Sequence, residues 1–117
     1  MQLPVQITFR NMDKSPSVEA HILERAEALE RFFNRITSCR VAVEADAKRQ
    51  RKGKLYHVRV DLMVPGKEIV VNRGPAEHHA HEDILVAVRD AFDAAKRQLE
   101  DYARSIRGEV KAHAQQA

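Results

Sequence analysis

One cysteine, no tryptophan, four glycines and four prolines among 117 residues remove several kinds of protein from consideration. The lone thiol, Cys39, cannot close an internal disulfide. Gly53, Gly66, Gly74 and Gly108 stand apart from one another, so neither a phosphate-cradling Walker loop nor a dinucleotide-binding fingerprint can be assembled. No Gly-x-Ser-x-Gly elbow offers a hydrolase nucleophile. No apolar run approaches the ~20 residues that a helix needs to cross a bilayer. The start, Gln2-Leu3-Pro4, lacks the charged, apolar and small-residue regions of a secretion signal. These absences lead to the expectation of a cytoplasmic protein that is not an enzyme, with no cofactor, no membrane and no small-molecule substrate.

What is present is ordinary material for a soluble core. Hydrophobic residues make up 44% and charged residues 32% of a chain whose length suits one domain. Such a domain hides roughly two-thirds of the surface its unfolded form exposes. The net charge is only +3, but it is unevenly placed. Lys48, Arg49, Arg51, Lys52 and Lys54 put five cations and no anion into seven residues. With these five removed from the total of +3, the remainder of the chain is net −2, so the positive field is local.

Hydrophobic periodicity divides the chain into six elements. Val5, Ile7 and Phe9 alternate with Gln6, Thr8 and Arg10, the pattern of a half-buried strand over residues 3–10. Ser15 before Pro16 makes a helix start, since serine caps free amides and proline has no amide to leave unpaired. Val18, Ile22, Ala26, Leu29 and Phe33 then recur at helical spacing, predicting a helix from Pro16 to Phe33. Asn34 is placed to end it in the left-handed conformation that asparagine tolerates. Cys39, Val41, Val43 and Ala45 form the inward set of a second strand near 38–46. Tyr56, Val58, Val60, Leu62 and Val64 form that of a third, and after the turn Pro65-Gly66 a fourth runs over 67–72. From about Glu82 the stripe Ile84, Val88, Ala91, Phe92, Ala95, Leu99, Tyr102 and Ile106 predicts a long helix, with Gly108 as its C-cap and a frayed or disordered tail over 108–117. The expected fold class is α+β in the order β-α-β-β-β-α, a four-stranded sheet with two helices packed on one face. The domain would occupy residues 1–107. The other sheet face, with Thr8, Arg40, Glu44, His57, Arg59 and Asp61, is polar enough to meet water.

Two clusters invite a functional reading. The cations of residues 48–54 suit contacts to phosphate, though they equally suit a solvated hairpin tip that discourages edge pairing. Glu77, His78, His79, His81 and Glu82 place three imidazoles in four residues. Imidazole is a good ligand for zinc, nickel or copper, so His78, His79 and His81 are candidate metal ligands. Neighbouring loop residues seldom converge on one ion unaided, and the same residues also suit a polar loop capping the last helix. On that helix Arg97, Arg104 and Arg107 lie near one outward line, interleaved with Asp93, Glu100 and Asp101.

Leu29-Glu30-Arg31-Phe32-Phe33-Asn34-Arg35-Ile36 resembles the Leu-Glu-x-aromatic-Phe-Asp/Asn-Arg-Ile turn of the ribosome hibernation-promoting and ribosome-associated inhibitor family, also called sigma-54 modulation proteins. Leu3 to Asn11 is similar to that family's first strand, and Asp83-Ile84-Leu85-Val86-Ala87-Val88 with Arg97-Gln98-Leu99 to its last helix. The likeness covers residues 1–107. It implies a short, diverged member that binds ribosomal RNA of the small ribosomal subunit and occludes the channel used by messenger and transfer RNA. The resemblance carries Arg97 and Arg35 over as RNA contacts. Lys14, Arg25, Arg89, Lys96 and Arg104 join them by charge, along with the five cations of residues 48–54. Glu100-Asp101-Tyr102-Ala103-Arg104 and Ala94 stand where the family is typically rich in lysine, so a weaker basic face is expected. So is a chain without the extra dimerisation domain of long members. The alternative on the same fold is a metal-responsive or protein-interaction module that uses the His78/His79/His81 loop or the exposed sheet.

Overall fold

A computed structural model describes residues 4–46, 55–73 and 83–116. The elements are β1 (Val5–Arg10), α1 (Pro16–Phe32), β2 (Ser38–Asp46), β3 (Leu55–Val64), β4 (Lys67–Arg73) and α2 (Ile84–Gln116), in the order expected from periodicity. The strands form one sheet in the order β1-β2-β3-β4. β1 and β2 pair in parallel, Val5 opposite Cys39 and Phe9 opposite Val43. β2, β3 and β4 form an antiparallel meander. Parallel neighbours cannot be joined by a tight turn, and α1 supplies the crossover. At the β3–β4 turn Gly66 has φ +76°, which glycine adopts without a Cβ penalty.

The side-chain period of two places Val41, Val43, Val58, Val60, Leu62, Val64, Ile69 and Val71 on one sheet face, all buried. α2 lies across β3 and β4, and α1 lies against β1 and α2. Ile22 and Ala26 of α1 and Val88, Ala91, Ala95 and Leu99 of α2 are fully enclosed. Each large aliphatic side chain so buried contributes about 1.5–3 kcal/mol. On the edge strand β1, which packs against α1, Val5, Ile7 and Phe9 remain half-buried.

Helix boundaries depart from expectation in two places. Ser15 caps α1 as foreseen, its Oγ accepting from the Val18 amide at 3.3 Å, but the C-cap is Phe33 at φ −144°, not a left-handed Asn34. Phe33 leaves the helix extended because its ring packs edge-on against Tyr102, with centroids 5.6 Å apart at 79°. The left-handed asparagine is Asn11 instead (φ 57°), at the end of β1. Nor does Gly108 stop α2, which runs on to Gln116. One glycine in a helix interior costs about 1 kcal/mol, while the Glu, Lys, Ala and Gln residues that follow are strong helix formers. At 1.5 Å per residue α2 spans roughly 50 Å, against roughly 33 Å for the longest strand, so its last turns project beyond the sheet.

Candidate nucleic-acid interface

The two helices run in the same direction. α1 returns the chain from the end of β1 to the start of parallel β2, and α2 packs back along the sheet from the end of β4, itself parallel to β2. Two contacts set their relative height: Phe33 meets Tyr102, and the Lys96 ammonium sits 5.3 Å above the Phe32 ring. The flank of α1 that carries Phe32 therefore faces the flank of α2 that carries Lys96.

Seven residues make nearly two full turns, so Arg25 shares the stripe of Phe32, and Arg89 that of Lys96. Because the helices are parallel, Arg25 and Arg89 stand at the same height, roughly 10 Å along the axis from Phe32 and Lys96. The Lys96–Phe32 contact marks a furrow between the helices, along which the helical period puts Arg25 and Arg89 two turns earlier. Arg35 follows in the loop to β2. Ring and ammonium hold each other by a cation–π contact worth about 0.5–1 kcal/mol at an exposed position.

Ion pairing separates the expected cations. Lys14 Nζ lies 3.7 Å from Glu19 Oε2, Arg89 Nη2 lies 3.4 Å from Asp90 Oδ1, and Arg104 is tied to Asp101 one turn earlier. These exposed pairs are weak and can be exchanged for another anion at small cost. Arg25, Arg35 and Arg97 have no acidic partner within 4 Å among the described residues. Arg97 points outward near Arg104, about a quarter-turn from the furrow, so α2 offers a cationic flank and a mixed outer line. Lys48, Arg49, Arg51, Lys52, Lys54, His78, His79 and His81 lie outside the described residues. The α2 start is capped by Asp83, whose Oδ1 accepts from the Leu85 amide at 2.9 Å.

The opposite face carries three further arginines, Arg10, Arg40 and Arg59, which are not among the expected RNA contacts. Arg59 Nε donates to Asp61 Oδ1 at 3.0 Å. That hydrogen bond, and then the carboxylate's charge, hold the guanidinium more firmly protonated than usual. Arg40 lies 4.0 Å from Asp61 and 3.9 Å from Glu68. Strand alternation alone would have put these three side chains on one face. Cys39 is buried, and burial followed by the nearby Asp61 charge pushes its thiol up to about 12, leaving it a packing residue. Among the described residues no group of three or more His, Cys, Asp or Glu side chains could hold a metal ion, and no helix is long and apolar enough to cross a membrane.

A four-stranded sheet with β1 and β2 parallel and two parallel helices on one side defines an α+β class found in solved structures. A ribosomal subunit interface protein from Coxiella burnetii superposes with a TM-score of 0.70 at 15% identity, over 86% of this chain and 97% of that one. The N-terminal domain of Thermus thermophilus Protein Y does so with 0.65 at 16% identity, over 87% and 99%. The family model of the sigma 54 modulation protein / S30EA ribosomal protein matches residues 5–107, and the chain belongs to that family. Among its relatives is a ribosome hibernation promoting factor of Azotobacter vinelandii, 31% identical over 97 residues, which are 83% of this chain and 79% of the relative. That of Pseudomonas putida is 27% identical over 100 residues, 86% of each. A hibernation promotion factor of Deinococcus radiodurans is 30% identical over 97 residues, 47% of its own length.

Proposed function

We propose that this protein is a ribosome hibernation factor of the cytoplasm. It binds ribosomal RNA of the small subunit through its helical layer and inhibits translation by occupying the channel of messenger and transfer RNA. Family membership over residues 5–107 sets the class of function. The observation that supports the RNA contact most directly is the Lys96 ammonium over the exposed Phe32 ring, with Arg25 and Arg89 two turns earlier along the same stripes. Arg35 and Arg97, without an acidic partner among the described residues, would extend the furrow at either side.

The physics is that of a rigid wedge. A cation that neutralises a phosphate releases a condensed counterion, so affinity falls with salt. Such contacts read the shape of folded RNA and not its base sequence. Phe32 adds a flat apolar surface on which an unpaired base can stack. Inhibition follows from occupied volume, with no bond made or broken in the RNA.

The test is cosedimentation with purified small subunits at two salt concentrations. Five contacts, from Arg25, Arg35, Arg89, Lys96 and Arg97, at a slope of about −0.9 each, lower affinity roughly 500-fold between 50 and 200 mM salt. Replacing Arg89, Lys96 and Arg97 by Glu should leave two contacts and a loss of only about 10-fold over the same interval. Added messenger RNA should displace the wild-type protein. Binding indifferent to salt, or an unchanged slope in the triple variant, would refute the helical layer as the RNA face.

A further inference from the structure

The sheet face turned away from the helices has a depression whose position follows from strand register. Thr8, Ala42 and Arg59 stand in one cross-strand row, and Gln6, Arg40 and Asp61 in the next. Ala42 is the short side chain among long ones, so its methyl is the floor and its neighbours are the walls. The resulting hollow measures about 440 Å³ and is lined by Gln6, Thr8, Arg10, Arg40, Arg59 and Asp61 around that floor. This volume lies within the roughly 300–1,000 Å³ range of small-ligand sites.

We propose that this hollow binds a small phosphate ester of about the size of a nucleoside monophosphate. Asp61, its side chain only 12% exposed, orients Arg59 by the 3.0 Å hydrogen bond, and Arg40 stands between Asp61 at 4.0 Å and Glu68 at 3.9 Å. Only Nε of Arg59 is used, so its terminal nitrogen pair keeps its donors. Arg10 borders the same hollow and has no acidic partner among the described residues. Three guanidiniums against the two carboxylates that pair with them, Asp61 and Glu68, leave +1 around the hollow, a cationic setting for a phosphate ester.

The other acids of this face stand at its margins. Glu44 is engaged by Asn11 Nδ2 at 3.2 Å, and Glu68 lies beyond Arg40 on β4. Forked guanidinium donors suit the terminal oxygens of a phosphate, and Thr8 and Gln6 supply neutral polar groups for the remainder of the ligand. This site and the helical furrow are on opposite layers, so the proposal does not rest on ribosome binding.

The experiment is a titration of ¹⁵N-labelled full-length protein with adenosine monophosphate, followed by backbone amide shifts. Saturable shifts are expected at residues 8, 10, 40, 42 and 59, with none from adenosine at equal concentration and competition by inorganic phosphate. Arg59→Gln should weaken binding about 10-fold or more, since a charge-assisted hydrogen bond is lost. Ala42→Leu, which fills the floor and removes no charge, should abolish it. If Ala42→Leu fails to fold, Arg59→Gln and the adenosine control decide the matter. Shifts that do not saturate, that adenosine reproduces, or that map to the helices overturn the proposal. A face that answers only to an RNA oligonucleotide and ignores the mononucleotide also overturns it, and reassigns these arginines to a polymer.

Discussion

Tyr102→Phe removes one oxygen atom from the point where α2, α1 and the β3–β4 turn meet. Tyr102 is 8% exposed, donates its hydroxyl to the Pro65 carbonyl at 2.5 Å and stacks edge-on with Phe33. Losing a hydrogen bond of this kind costs about 0.5–1.5 kcal/mol. Pro65 is exposed, so water can replace the phenol at its carbonyl, which places the cost near the lower half of that range. Unfolding entropy of about 2.1 cal/mol/K per residue makes 1 kcal/mol equal to about 4 °C in Tm for a chain of this length. Tyr102→Phe should therefore lower Tm by about 2–4 °C in a calorimetric or circular-dichroism melt. Tyr102→Ala also deletes the ring and opens a cavity, costing about 3–5 kcal/mol and about 12–20 °C. The same ring sets the height of α1 against α2, so Tyr102→Ala should also weaken small-subunit binding in cosedimentation below its melting temperature. A Phe variant that melts with the wild type, or an Ala variant no worse than Phe, would refute the idea that this residue locks the helices to the turn.

Cys39 should resist alkylation by iodoacetamide at pH 8 until denaturant is added, because the reactive thiolate is suppressed by burial and then by Asp61. The sign of its pH dependence follows: the folded state holds the proton to about 12, the unfolded thiol ionises near 9, so the contribution to stability is full below about pH 9 and lost progressively between pH 9 and 12. Urea melts at pH 8 and pH 10.5, compared with the same pair for Cys39→Ala, isolate that dependence. Ser15→Ala should cost about 0.5–1 kcal/mol in urea unfolding, the lower part of the range for a lost helix cap because the Oγ contact is a long 3.3 Å. Ser15→Asp should recover it.

The fold was legible because its core is written in local periods. Alternation in Val41–Val43–Ala45 and Val58–Val60–Leu62 names the buried face of a strand whatever its neighbours are, and Val18–Ile22–Ala26–Leu29 does so for a helix. The candidate interface was legible only in part. Lys96, Arg89 and Arg25 could be chosen by charge, but that the Lys96 ammonium sits over Phe32 depends on where a crossover helix sets down. The arginines of the open sheet face were recognised as solvent-facing, yet Ala42 as the floor of a hollow emerges only when β1 and β3 take their places on either side of it.

The sequence by itself determined which segments are helix or strand, which face of each is apolar, the Ser15 start of α1 and the seclusion of Cys39. Each of these depends on residues within a few positions of one another. Tertiary structure decided that α1 ends at an extended Phe33 and not at a left-handed Asn34, that Lys96 sits over Phe32, and that Arg40 stands between Asp61 and Glu68. Those outcomes turn on the packing of Phe33 against Tyr102, the place where α1 sets down against α2, and the register of β2, β3 and β4. They are settled after the elements meet, by forces that act across space and not along the chain.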